Sequence, residues 1–180
     1  MKSVFYFILS LFLFLSVGQQ SLASEPTETQ KAELSRLVVD ANDAVKKKDF
    51  ASLSRYMPDR LYQEMARRLN TTESNLRNKF LKRLRIQFKD LPADAYHLDE
   101  TNINYLQTAN GTFYALIPTI LEMEDRIIEY NTLAIFDKMQ WYLIYGGQKT
   151  VQNPVFLEIY PDFNNVHLPE ETIIKKCSSD

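Results

Sequence analysis

The apolar periodicity of this chain changes near residue 95, and that change constrains the fold more than any other feature. Before it, hydrophobic residues recur every three or four positions, as on a helix that buries one side. After it they alternate, as on a strand. Helices first and then a run of antiparallel strands predicts an α+β domain, with N-terminal helices packed on one face of a strongly curved antiparallel β-sheet.

In the first half, the polar stretch from Ser24 to Gln30, with Pro26, reads as a lead-in. Leu34, Leu37, Val38, Ala41 and Ala44 or Val45 then mark a long helix whose last turn carries Lys46, Lys47 and Lys48, where cations suit the helix dipole. Asp49 caps a short helix bearing Phe50, Leu53 and Tyr56 and ending at Pro58. A third helical piece runs from Asp59 with Leu61, Met65 and Leu69 on its apolar side. Residues 73 to 91 form the most amphipathic helix: Leu76, Phe80, Leu81, Leu84, Phe88 and Leu91 share one side and Pro92 ends it. Arg77, Lys79, Lys82, Arg83, Arg85 and Lys89 share the other side, a pattern that suits anionic lipid, an acidic partner or simple solvation.

In the second half, Tyr96 to Leu98 and Ile103 to Thr108 lead to Asn110-Gly111, a pair that closes a two-residue hairpin because both residues tolerate positive φ. From Phe113 to Met123 the residues alternate. Phe113, Ala115, Ile117, Leu121 and Met123 fall on one face, and Tyr114, Leu116, Pro118 and Ile120 on the other. Pro118 lacks a donor, which suggests an edge strand or a bulge. Strands 127 to 136 and 141 to 145 complete a meander that Gly146-Gly147 ends. Asn153-Pro154 then starts a short helix that Pro161 stops. Beyond it, 162–180 holds only Phe163, Val166, Leu168, Ile173 and Ile174 as anchors, so a partly docked and then disordered tail is expected. The single domain is expected over 24–161.

Residues 1–23 read as a signal peptide. Lys2 precedes the apolar run Val4 to Val17, and Ser21 and Ala23 fit a cut before Ser24. The run is shorter than the roughly 20 residues a membrane span needs. The expected product is therefore secreted or periplasmic, without an integral membrane anchor after cleavage. Cys177 is the single cysteine of the sequence, so no internal disulfide is possible. It reads as an incidental thiol in a polar tail or as the site of pairing between chains.

The stretch from Val39 to Ala44, then Lys48-Asp49-Phe50-Ala51-Ser52-Leu53 and Tyr56-Met57-Pro58, resembles the opening of nuclear-transport-factor-2-like domains. Phe113 to Pro118 followed by Trp141-Tyr142-Leu143-Ile144 resembles exported bacterial members of that superfamily without a settled function. The glycine-rich turn usual before the tryptophan is here Asp137-Lys138-Met139-Gln140. The resemblance covers Leu34 to Pro161. It implies a cystatin-like cone, a fold that hosts enzymes, scaffolds and ligand carriers alike.

Several chemistries lack their residues. Only Gly111, Gly146 and Gly147 follow the leader, which leaves no phosphate-cradling loop. Two histidines and one distant cysteine form no metal cluster, and no Gly-x-Ser-x-Gly elbow is present. No metal and no cofactor is therefore expected. A net charge of −2 points away from nucleic acid.

The best polar pair is His97 and Asp99, which would share a strand face, so that the carboxylate orients an imidazole for general-base work. The competing reading is a strand end before a Thr101-Asn102 turn. Tyr105, Phe113, Tyr130 and Trp141 are candidates to line a concave ligand pocket, although aromatic residues also suit ordinary sheet packing. Three functions follow as expectations. The favoured one is a non-catalytic domain that binds a small apolar or amphipathic ligand or a protein. The second is an isomerase, dehydratase or hydrolase working in the cone cavity. The third is an envelope component that forms a homodimer through Tyr114, Leu116 and Ile120.

Overall fold

The computed structural model describes residues 25–176, so the leader's 1–23 and Cys177 lie outside the described residues. Among the described residues no helix is long and apolar enough to cross a membrane. The chain runs α1 (Glu28–Lys46), α2 (Phe50–Arg55), α3 (Asp59–Arg68), α4 (Glu73–Gln87), β1 (Tyr96–Leu98), β2 (Asn104–Gln107), β3 (Phe113–Glu122), β4 (Arg126–Asp137) and β5 (Gln140–Ile144). It continues with α5 (Gly147–Val151), α6 (Pro154–Ile159), a 3-10 turn (Pro161–Asn165) and β6 (Thr172–Lys175). Helices packed on a strongly curved antiparallel sheet make this an α+β fold, as the change of period predicts.

The spine of the sheet is β3 against β4, in register from Tyr114 opposite Ile135 to Glu122 opposite Ile127. β1 and β2 lie end to end along the far side of β3, and β6 and β5 lie end to end along the far side of β4. Both outer lanes are therefore broken, and the first break explains Pro118. The Pro118 carbonyl accepts the Asp99 N–H at 2.8 Å on that side. Its nitrogen points the same way, opposite the gap between β1 and β2, so a missing donor orphans nothing. Pro118 thus sits in an internal strand rather than at an edge.

Alternation on β3 sends Ala115, Ile117 and Leu121 into a core shared with Leu34, Val38 and Ala41 of α1. It sends Leu116 to the opposite face, where Leu133, Ile135 and Ile144 are covered by Phe156, Tyr160, Phe163 and Leu168. The segment after Pro161 is thus built into the fold further than a partly disordered tail would be. Phe163 is 1% exposed and Leu168 4%, and β6 pairs with Arg126 to Glu129 of β4. Sparse anchors look like loop in sequence because the strands that they cover lie tens of residues away. The same cover removes most of the expected dimer contact. Leu116 is buried, and the Tyr114 ring packs on Phe163 at 5.4 Å, which leaves only Ile120 exposed.

Three local expectations change. α1 begins at Glu28, inside the supposed lead-in, because Thr27 and Gln30 form a capping box in which each side chain accepts the other's N–H. The Asn110-Gly111 hairpin has a three-residue loop: Gly111 donates to the Thr108 carbonyl at 3.0 Å and Thr108 to that of Thr112 at 2.9 Å, and Gly111 alone has positive φ. The two-residue turn lies between β4 and β5, where Lys138 and Met139 take φ of +49° and +66° without glycine.

The helix layer is tied to the sheet by Asn42, a buried polar residue of α1. Its side-chain amide donates to the Leu98 carbonyl at 2.8 Å, and its carbonyl accepts the Leu98 N–H at 2.9 Å. It occupies the place a further strand would take on the free edge of β1.

Removing that side chain orphans two buried backbone groups at roughly 1–3 kcal/mol each, so Asn42→Ala is expected to cost about 3 kcal/mol in urea unfolding. A loss below about 1 kcal/mol would show that the edge is satisfied some other way. A left-handed non-glycine residue costs about 1–2 kcal/mol, so Lys138→Asn with Met139→Gly is expected to raise stability by about 1 kcal/mol in the same assay.

Candidate functional site

β5 ends where Gly146 turns the chain away from the sheet with φ of +105°. A Cβ there would clash with the Thr150 hydroxyl oxygen, so glycine is required both for the angle and for the space. Thr150 uses that hydroxyl to donate to the Tyr145 carbonyl at 2.8 Å, which pins α5 beside the departing strand. The excursion holds open a cleft of about 1050 Å³ between α4 and the sheet.

The cleft is apolar inside and polar at its rim. Leu53, Phe80, Leu84 and Phe88 line the helix side, and Leu121 and Ile128 the sheet side. Exposed Arg83, Lys149, Glu170 and Glu171 stand at the opening. Between these zones lie three phenols, Tyr96, Tyr130 and Tyr145. Burial pushes the hydroxyl of each upward in pKa, so all three stay neutral donors at ordinary pH. For Tyr145 the neighbouring phenols of Tyr96, Tyr56, Tyr62 and Tyr130 add to that effect.

Tyr96 and Tyr130 stand close to the Thr132 hydroxyl, which itself accepts from Thr119 at 2.8 Å. Tyr145 differs. Its ring stacks on Phe80 at 6.2 Å, and its hydroxyl oxygen is buried without a hydrogen-bond partner among the described residues. An orphaned hydroxyl in such a wall costs free energy until something accepts its proton. The site offers neutral hydrogen-bond donors in apolar surroundings, which suits a molecule with an apolar body and an oxygen acceptor.

Of the four aromatic candidates, Tyr130 lines this cleft and three lie elsewhere. Trp141 is buried and donates its indole N–H to the Gln30 carbonyl at 2.8 Å; Tyr105 donates to the Lys31 carbonyl at 3.2 Å. Their rings meet edge to face at 6.1 Å, and Phe113 packs into the same core. Trp141 and Tyr105 hold the first turns of α1. Alternation shows which face of a strand a residue occupies, but not how far along the sheet an opening lies.

His97 and Asp99 are not brought together. β1 stops at Leu98. His97 is half-exposed, with its Nε2 3.9 Å from Glu100, on the face opposite Tyr96. The Asp99 carboxylate accepts from the backbone and side chains of Thr101 and Asn102, and these bonds hold it well below the usual carboxylate range. Asp99 therefore caps a turn. Tyr96 and Tyr145 were not singled out by sequence; only Gly146-Gly147 directly after Tyr145 hinted that the strand breaks away there.

No family model, no curated protein and no solved structure matches the chain.

A buried tyrosine that loses a satisfied hydroxyl is ordinarily destabilised by about 1 kcal/mol. Tyr145→Phe is expected to leave thermal stability unchanged or to raise it slightly, read by calorimetry without ligand. A loss of about 1 kcal/mol or more would mean that the hydroxyl already has a partner.

Proposed function

We propose that the protein is a non-catalytic carrier or sensor of a small amphipathic molecule, held in the cleft between α4 and the sheet. The observation that carries this reading is the cleft of about 1050 Å³, whose lining joins Leu84, Phe88, Leu121 and Ile128 to the phenols of Tyr96, Tyr130 and Tyr145. The ligand that fits it has an apolar chain or ring for Leu84, Phe88 and Ile128 and an ester, ether or carbonyl oxygen for the phenols. The volume stands at the upper end of small-molecule sites, room for an acyl or polycyclic body.

Catalysis is the weaker reading, because the only imidazole proposed for it, His97, faces solvent, and the Asp99 carboxylate is taken up by its own turn. We assign the chain to the nuclear-transport-factor-2-like superfamily on the residues that resemble it, supported by the order of helices before a curled sheet with a cleft between them. Export rests on the grammar of residues 1–23, and places the ligand outside the cytoplasm.

The reading is tested by titrating the protein with a monoacylglycerol that carries an environment-sensitive fluorophore at its acyl end, then competing with unlabelled octanoyl to palmitoyl esters. Saturable binding with displacement is expected. Leu84→Trp, which projects an indole into the cleft, is expected to lower it sharply, and Tyr145→Phe to weaken it about tenfold, the worth of one hydrogen bond. Binding undiminished by Leu84→Trp in a folded protein would place the ligand elsewhere.

A further inference from the structure

The outward face of α4 meets the cleft only at its edge, at Arg83 and Gln87. Of the six cations from Arg77 to Lys89, the last of which lies two residues past the end of α4, Arg77 turns inward, where it pairs with Asp59 and Glu73 and stacks on the Tyr62 ring at 3.9 Å. The other five, Lys79, Lys82, Arg83, Arg85 and Lys89, are exposed, and none forms an ion pair among the described residues. Lys48 joins them, since its ammonium donates to the Lys89 carbonyl at 3.1 Å. Ile86 lies within this face, 67% exposed, the most exposed aliphatic side chain of the helix layer.

We propose that this face of α4 docks on the surface of an anionic lipid bilayer. Helical spacing puts Lys79, Lys82, Arg83 and Ile86 within one outward arc, because residues three and four apart are neighbours, and Lys89 follows just past the helix end. The apolar side of α4 is packed inside the protein, so attachment is electrostatic, with the long basic stems reaching lipid phosphates around Ile86. A protein partner would need fixed complementary geometry. This face instead presents exposed cations without ion pairs among the described residues, which suits a diffuse and laterally mobile plane of charge.

The whole chain has a net charge of −2, so attraction to an anionic surface has to come from this local patch. Arg83 and Gln87 also belong to the cleft opening, so docking through α4 would bring that opening to the bilayer. The docking inference stands apart from the cleft reading, since it rests on the outer side of the helix.

Flotation of the full chain with phosphatidylcholine vesicles, with and without phosphatidylglycerol, tests it. Any affinity of the apolar N-terminal run is common to every variant and both lipids, so the comparisons remove it. Binding to the phosphatidylglycerol vesicles is expected to exceed that to neutral vesicles at least tenfold, and to fall as salt rises from roughly 50 mM to 500 mM.

Each cation near such a surface contributes about fivefold, so Lys79→Gln, Lys82→Gln and Lys89→Gln together are expected to lower binding about a hundredfold. These side chains are exposed, and circular dichroism checks that the variants fold. Equal binding to both lipids, or a triple variant that binds as well as the parent, overturns the proposal. Binding to polyglutamate but not to vesicles also overturns it and assigns the face to an acidic macromolecule. Monoacylglycerol competition in the triple variant reads the cleft separately, so failure of one reading does not imitate failure of the other.

Discussion

The free edge of β1 is the constraint on which the rest of the structure depends. A three-residue strand that pairs only with β3 would leave the Leu98 N–H and C=O without partners in a buried setting, and Asn42 supplies both from α1. One side chain thus closes the sheet edge and fixes the long helix across it. Trp141 and Tyr105 hold the other end of the same helix through the Gln30 and Lys31 carbonyls. With α1 anchored at both ends, the inward residues of β3 and β4 meet Leu34, Val38 and Ala41, and the helix-bearing core is complete.

The broken outer lanes divide the work of the sheet. The gap between β1 and β2 accommodates Pro118 in an internal strand. The longer gap between β5 and β6 carries α5, α6 and the 3-10 turn away from β4 and back again. That excursion has two consequences. Phe156, Phe163 and Leu168 cover the second face of the sheet, and the departing chain at Gly146 leaves the cleft open beside Tyr145. The cover and the opening follow from the same interruption, so the residues that stabilise one face also set the rim of the other.

How much of this was legible in the sequence varies with the range of the interaction. The faces of β3 could be read residue by residue, because alternation is local. The Asn153-Pro154 helix start is equally local and holds in the structure. The Thr27 capping box lies within a segment otherwise read as a lead-in, although Thr-x-x-Gln is visible there. The αL residues Lys138 and Met139 were hidden because neither residue type announces positive φ; the register of β4 and β5 imposes it. Tyr130 and Trp141 look alike in sequence, yet one lines a cleft and the other anchors a helix, since their neighbours come from distant parts of the chain.

By itself, the sequence determined the α+β class, the order of helices before strands, the two faces of β3, and the scarcity of glycine, histidine and cysteine. All of these follow from local periodicity and composition. Only the tertiary structure decided that residues after Pro161 cover the second face, that Arg77 turns inward while its neighbours on α4 stay unpaired, and that the Tyr145 hydroxyl is buried without an acceptor. Burial and pairing depend on which distant segments meet, and period along the chain carries no information about that encounter.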